Sequence, residues 1–473
     1  MRTNLAQLLL LVMSQSGLAA EIPPELAAKI DERVQSAIDQ VQAPSASIAV
    51  VLDGKLAYLK AYGNARLATE EAKAVAATVE TRYAIGSVSK QMVAAAVLLC
   101  VQDGQLKLDD PVGKYLEGLT DGDKITIRHL LNHTSGYRDY YPQDYVFPAM
   151  KLPIQPSGIL DQWARLPLDF PSGEQWQYSN TGYTAAGLVV EKVTGQPLFK
   201  FMQERIFKPL EMNQVVDHDT QPLTAPDAAG YTRVALGPVR LATKEGDGWL
   251  FAAGPLALPP SDLAKWNISV MNQSLLNAES YSEMSKVVEV PKNPRNVKYG
   301  LGVHVGKDDA GRRVISHGGG VAGSTTENRI WPEQKAAISV VVNGDWAALP
   351  SAIADRIRDV VLPAESEAPS AAQAGPDAEV QAMFVALQQG RIDSAKLTPN
   401  AHAYFHEQAL RDAAEGLGRL GAVKSFKRTA EGLRGGLDYR TYRVVCEQGT
   451  VTVVVRSQPD GRYEQFLVDA EVR

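Results

Sequence analysis

What most restricts the folds open to this chain is the order of its periodic stretches. Ser45–Leu52 and Lys55–Gly63 are two strand-like runs joined at Asp53-Gly54. Asp-Gly between apolar runs marks a tight hairpin, because such a turn needs residues that tolerate positive φ. Helical patterns follow: Gln91–Val101, Asn180–Val193 ended by Thr194-Gly195, Phe199–Phe207 before Pro209, and Asp262–Asn272 behind Ser261 as candidate N-cap. From Val297 the period changes to strands, with candidates at Lys298–Val305, Arg313–His317, Ser324–Trp331 and Ala337–Val342. An amphipathic helix, Glu25–Gln42, opens the region and Leu349–Val361 closes it. Strands at both ends and helices between describe an α/β body with an all-helical insertion.

The chain has 473 residues, more than one typical domain. Leu362–Asp377 is rich in Pro, Ala, Ser and Glu and reads as a linker. Beyond it come two helices (Ala378–Gln389, Ala401–Leu420) and four strands (Val423–Thr429, Leu437–Glu447, Thr450–Ser457, Tyr463–Val472). Helices followed by an antiparallel meander suggest a separate small α+β domain over 378–473, beside the body at 24–361. Residues 1–20 read as a secretory signal: Arg2, the short apolar stretch Leu5–Met13, and a small-x-small site at Gly17-Leu18-Ala19. The expected location is therefore periplasmic or secreted, with no stable membrane insertion after the leader is removed. Net charge is -6 and no Lys/Arg run stands out, which argues against a nucleic-acid partner. Cys100 and Cys446 fall in different domains and read as two buried thiols.

Chemistry enters at Gly86-Ser87-Val88-Ser89-Lys90, where an extended run gives way to the Gln91–Val101 helix. Three-residue spacing at a helix start places the Ser87 hydroxyl and the Lys90 amine on one face. A serine becomes nucleophilic when a base takes its proton, and a lysine serves only when partly neutral. Burial and nearby positive charge produce that state. Two further signals follow in chain order. Tyr178-Ser179-Asn180 stands at a loop-to-helix junction, offering a phenol that can relay a proton and an amide with both donor and acceptor. Ser316-His317-Gly318-Gly319-Gly320 ends a strand candidate, where glycines let another backbone come close and a strand-edge N–H can help bind an oxyanion. Taken singly, each is an ordinary serine–lysine pair, helix cap or glycine turn.

In combination and in this order they resemble the serine β-lactamase and penicillin-binding family. Within it the chain looks like the class C β-lactamase branch, with its DD-carboxypeptidases, D-aminopeptidases and family VIII esterases. The resemblance covers about residues 24–360. It rests on Tyr83–Lys90, Ile127–Gly136, Trp176–Tyr183, Ile206–Met212 and His317-Gly318-Gly319. It implies an antiparallel sheet flanked by helices and an acyl-serine mechanism needing no cofactor or metal. Ser87 would be the nucleophile, Lys90 would hold or take its proton, and Tyr178 would act as general base and then acid. Asn180, His317, Gly318 and Gly319 would bind substrate, and the N–H groups of Ser87 and Gly320 would form the oxyanion hole. One departure matters. The middle residue of the third motif, usually Thr, is Gly318, and His317 is a weaker cation than Lys. Both changes weaken recognition of a penicillin or D-Ala carboxylate. The expectation is an esterase or peptidase-like hydrolase of small-molecule or peptide substrates. A β-lactamase or DD-carboxypeptidase, or a non-catalytic wall-peptide binding protein, are the alternatives.

The pairs His129/His133 and His402/His406 have i,i+4 spacing but lack a His-Glu-x-x-His pattern, so neither is read as a metal site. Tyr137–Pro167 is rich in aromatics and Pro and reads as a wall, a lid or a loop packed on the body. The C-terminal domain resembles small cone-shaped α+β domains of the cystatin or NTF2 type.

Overall fold

The computed structural model describes residues 22–293, 296–363 and 378–471. The expected leader and most of the expected linker lie outside them. The body is built on a seven-stranded antiparallel sheet. Its strands are β1 (Ser45–Leu52), β2 (Lys55–Arg66), β3 (Val75–Ala76), β4 (His304–Lys307), β5 (Arg313–Val321), β6 (Ser324–Trp331) and β7 (Ala336–Val342), in the order β3-β2-β1-β7-β6-β5-β4. The N- and C-terminal parts of the body meet at β1–β7, with Ala46 opposite Val342 and Val51 opposite Ala337.

Burial on both faces explains why β1 and β7 read as continuous apolar runs. Ile48, Val50, Ile338 and Val340 face α1 (Pro24–Val41) and the closing helix at 349–361, which pack on one side. Ala49, Val51, Ala337 and Val341 face the helical insertion on the other. At the centre of that insertion lies α2 (Lys90–Gln102), eleven of whose residues are buried. It packs against α3 (Asn180–Thr194), which ends on Gly195 at φ +70°.

The structure moves several expected boundaries. Asp262–Asn272 starts two residues earlier, at Pro260, a proline position that needs no N–H. Phe199–Phe207 is a short α-helix running into a π-turn. Lys298–Val305 is mostly irregular, and only His304–Lys307 is strand. The glycines after His317 do not end their strand: β5 continues through them to Val321, paired with β6. Both thiols are free and buried.

The small C-terminal domain is a four-stranded antiparallel meander of β8 (Val423–Arg434), β9 (Leu437–Cys446), β10 (Thr450–Ser457) and β11 (Tyr463–Ala470), with its own core around Phe384, Tyr442 and Val453. The expected single helix at 401–420 is two, Pro399–Tyr404 and Glu407–Gly418, because His406 leaves the helical path and its Nδ1 caps the second. Strand β8 is longer than its sequence pattern. It runs five residues past Thr429 and turns through Gly435 and Gly436, at φ +59° and +74°. Two consecutive positive-φ residues form a tight turn that glycine makes without strain.

Candidate active site

Ser87 sits in a 3₁₀ turn, Gly86–Ser89, that feeds α2. Backbone crowding dictates the glycines on both sides of this turn. Gly86 lies at φ +51°, and a Cβ there would stand 2.7 Å from the Gly320 nitrogen. A Cβ on Gly319 would stand 2.0 Å from the Ile85 carbonyl oxygen. Strand β5 can therefore press against the residues just before Ser87 only because neither side carries a side chain. Gly320 is different, with nothing within 4 Å of where its Cβ would be. The glycine run thus divides its work: Gly319 permits contact, and Gly320 leaves open space beside the serine turn.

Lys90 is fully buried, with its Nζ 3.0 Å from Ser87 Oγ, 2.8 Å from Asn180 Oδ1 and 2.5 Å from the Ala253 carbonyl. Burial drives its pKa well below the usual lysine range, Asp139 opposes that shift, and Arg434 adds to it. An environment that favours the neutral amine beside a serine hydroxyl is what a base in that position needs. The Tyr178 ring lies over the same amine, with Nζ 5.0 Å from its centroid. Burial raises the Tyr178 pKa above its ordinary value, while the Ser87 hydroxyl and Arg434 pull it down. Burial thus favours the protonated phenol and the neutral amine. The two form one coupled unit rather than two independent acids.

Asn180 begins α3, behind Ser179, whose side chain caps the helix. Its Oδ1 takes the Lys90 contact, and its Nδ2 donates to Asp139 Oδ1 at 3.0 Å. Asp139 also accepts from the Asn180 backbone N–H and, through Oδ2, from Arg434 Nε at 2.9 Å. A hydrogen-bonded chain thus runs from Lys90 through Asn180 and Asp139 to Arg434. His133, a candidate of the i,i+4 pairs, stacks on Tyr178 at 4.1 Å between ring centroids and accepts from the Ser179 N–H. His129 instead accepts from the Thr126 N–H in a capping box.

His317 is buried, with both ring nitrogens engaged inside the body. Its Nδ1 lies 2.6 Å from the Gly318 carbonyl, which can only accept, so Nδ1 carries the proton and Nε2 accepts from the Tyr299 hydroxyl at 2.8 Å. Burial, and then the proximity of His304 and Lys90, hold its pKa well below the usual histidine range. The third motif therefore presents a neutral ring 6.3 Å from Tyr178.

Sequence reasoning singled out neither Asp139 nor Arg434. Asp139 belongs to the aromatic loop read as a wall, a lid or a loop packed on the body, and its carboxylate has no motif around it. Arg434 precedes Gly435-Gly436, a hairpin signal between two strand-like runs, but nothing in the sequence tells where that hairpin docks.

Residues 27–362 match the family described as Beta-lactamase. Among curated relatives, Protein flp of Staphylococcus aureus (strain MW2) is 27% identical over 331 residues, covering 67% of this chain and 62% of that protein. The chain thus spans less than two thirds of the length of the curated relatives it matches first. A D-stereospecific amidohydrolase from Streptomyces sp. is 28% identical, with a TM-score of 0.60 over 71% of this chain and 98% of that one. An octameric penicillin-binding protein homologue from Pyrococcus abyssi shares the fold over 93% of this chain and 99% of that one, at 20% identity and a TM-score of 0.62.

Proposed function

Since the chain belongs to the beta-lactamase family, we propose that it is an exported serine hydrolase that cleaves ester or amide substrates through an acyl-Ser87 intermediate. The observation that carries this is the fully buried Lys90 amine 3.0 Å from Ser87 Oγ, in a setting where burial pushes its pKa down. In this reading Lys90 takes the hydroxyl proton as Ser87 attacks the carbonyl carbon. Tyr178 gives its proton to the leaving oxygen or nitrogen; in deacylation the phenolate takes a proton from the attacking water while Lys90 returns its proton to Ser87 Oγ as the acyl group leaves. Asn180 holds the substrate amide or carbonyl, and the N–H groups of Ser87 and Gly320 face the oxyanion.

The neutral, engaged His317 and the missing hydroxyl at Gly318 support small esters or amides over penicillins, whose carboxylate would find no cation in the third motif. The charged start and apolar stretch within residues 2–19 support export. Among the described residues no helix is long and apolar enough to cross a membrane.

Turnover of p-nitrophenyl butyrate, nitrocefin and D-amino acid amides tests the reading. Turnover of the ester or amides should be lost in Ser87→Ala and fall by about 10²-fold or more in Tyr178→Phe, the scale of a lost acid/base group. Absence of turnover on every substrate would favour the binding-protein alternative. Preferential turnover of nitrocefin would favour the β-lactamase.

A further inference from the structure

The tip of the β8–β9 hairpin, from the C-terminal domain, reaches the acylation centre. A Cβ on Gly435 would stand 2.7 Å from Pro142 Cβ and 3.2 Å from the Asp139 carbonyl, so glycine at the turn lets the tip lie flush on this loop. Arg434 Nη2 donates to the Tyr141 carbonyl at 2.9 Å, and its Nε donates to Asp139. The guanidinium lies over Tyr178, with Cζ 4.9 Å from the ring centroid. Lys90 Nζ is 5.0 Å from the same centroid. Two nitrogen groups of different domains, a guanidinium and a lysine amine, thus share one phenol ring.

The docking is built from more than this one contact. Asp144 of the aromatic loop pairs with Arg456 at 2.6 Å and its backbone N–H donates to Gln465 Oε1 at 2.8 Å, while the Tyr145 hydroxyl donates to the Glu464 carbonyl. On the far side Arg240 and Asp412 form a two-bond ion pair. The hairpin tip is therefore held at the site by the whole domain face.

We propose that Arg434 is a positioning residue of the active site: the C-terminal domain supplies, from outside the hydrolase body, the fixed positive charge that the third motif lacks, and the Asp139–Arg434 ion pair sets the protonation of the Lys90–Tyr178 pair. This rests on the acyl-Ser87 reading. Asp139, with a side chain wholly shielded from water, offsets that charge at 2.9 Å and is tied to Lys90 through Asn180, while Asp144, 3.8 Å from Arg434 Nη1, is the second carboxylate on the guanidinium. The other groups that face the pair are His133, His317, His304, Tyr183 and Tyr299. Burial holds His133 and His317 uncharged and the two phenols protonated, so they add no fixed charge. Of the two carboxylate and guanidinium groups at the pair, one pushes its pKa up and the other pulls it down.

The sign of each substitution follows. The acidic limb of kcat/KM against pH reports loss of the activating proton from the pair. Arg434→Gln removes a cation and leaves the Asp139 anion unbalanced, so the limb moves to higher pH. Asp139→Asn does the reverse, and the limb moves to lower pH. Each shift should be about one pH unit, as for a charge within a few ångströms, and the limb of the double variant should return towards that of the wild type. Arg434→Lys keeps the charge and should keep the limb while lowering the plateau.

The experiment is the pH dependence of p-nitrophenyl butyrate hydrolysis and of fluorophosphonate labelling by the full chain, with thermal unfolding recorded alongside. Opposite shifts in the two single variants support the proposal. If Arg434→Gln unfolds, the downward shift in Asp139→Asn carries the test alone. A limb that stays put in every folded variant, or moves the same way in both, overturns it. Labelling that persists in Ser87→Ala would instead sink the acyl-serine reading itself, so the two failures are distinguishable.

Discussion

Two segments flank Tyr178, and they differ in how they get there. Strand β5 reaches the site through backbone contact, with Gly319 against Ile85 and Gly320 against Gly86. It brings a neutral histidine whose nitrogens are both engaged. The β8–β9 hairpin reaches the site through charge, with Arg434 on Asp139 and over the Tyr178 ring. The family resemblance implies a Lys or His on the third-motif strand, and here that residue is a buried histidine whose pKa is held low. Here the charge beside the phenol comes from a different domain. The serine turn thus takes its shape from β5 while the guanidinium beside Tyr178 comes from elsewhere in the chain.

The comparison breaks most sharply at Gly319. Gly319→Val would drive a side chain into Ile85 and Val88, at a cost of about 1–3 kcal/mol for overpacking. Displacing β5 from the serine turn by about 1 Å should lower acylation by about 10²-fold. Gly320→Ala, with open space around it, should leave the melting temperature unchanged. Differential scanning fluorimetry with esterase assays reads both, and equal melting temperatures for the two variants would remove the packing role given to Gly319.

A smaller effect is expected at the hairpin. Gly435→Ala puts a Cβ at φ +59° and 2.7 Å from Pro142, a strain of about 1–2 kcal/mol. The tip should lift, moving the acidic limb in the direction of Arg434→Gln while Ser87 remains reactive. A limb identical to the wild type in a folded variant would show that the tip's seating has no bearing on the chemistry.

The smallest effect is expected at His317. Its hydrogen bonds join neutral groups, each contributing about 0.5–1.5 kcal/mol. His317→Gln should therefore change kcat/KM by less than about tenfold. The pH profile should lose no limb, because burial already keeps the ring uncharged throughout the neutral range. A limb that disappears with this histidine would return the role of cation to the third motif.

The contrast between the two segments also shows what a linear sequence can display. The nucleophile turn, the Tyr-x-Asn junction and the glycine run are legible because each is dictated locally, by helix spacing, a cap or a clash between backbones. The sheet is legible for the same reason, since β1 and β7 are buried on both faces and show it as unbroken apolar runs. Strand β5 was harder to delimit, because glycines that resemble a turn are here the condition for a close contact. Asp139 and Arg434 lie 295 residues apart, and only the docking of one domain on the other makes them neighbours. The Gly435-Gly436 pair between the two strand candidates was not read as a turn, and nothing in it tells where a hairpin would dock. The break at His406 was equally hidden, since a histidine that caps a helix and one that sits inside it look alike in a list of residues.

The acylation centre itself is tested most directly by mapping a fluorophosphonate adduct on the full chain by peptide mass spectrometry. Modification of Ser87, slowed strongly in Lys90→Met and abolished in Ser87→Ala, is the predicted result. An adduct on another residue, or labelling of Ser87 at an undiminished rate without Lys90, would contradict it.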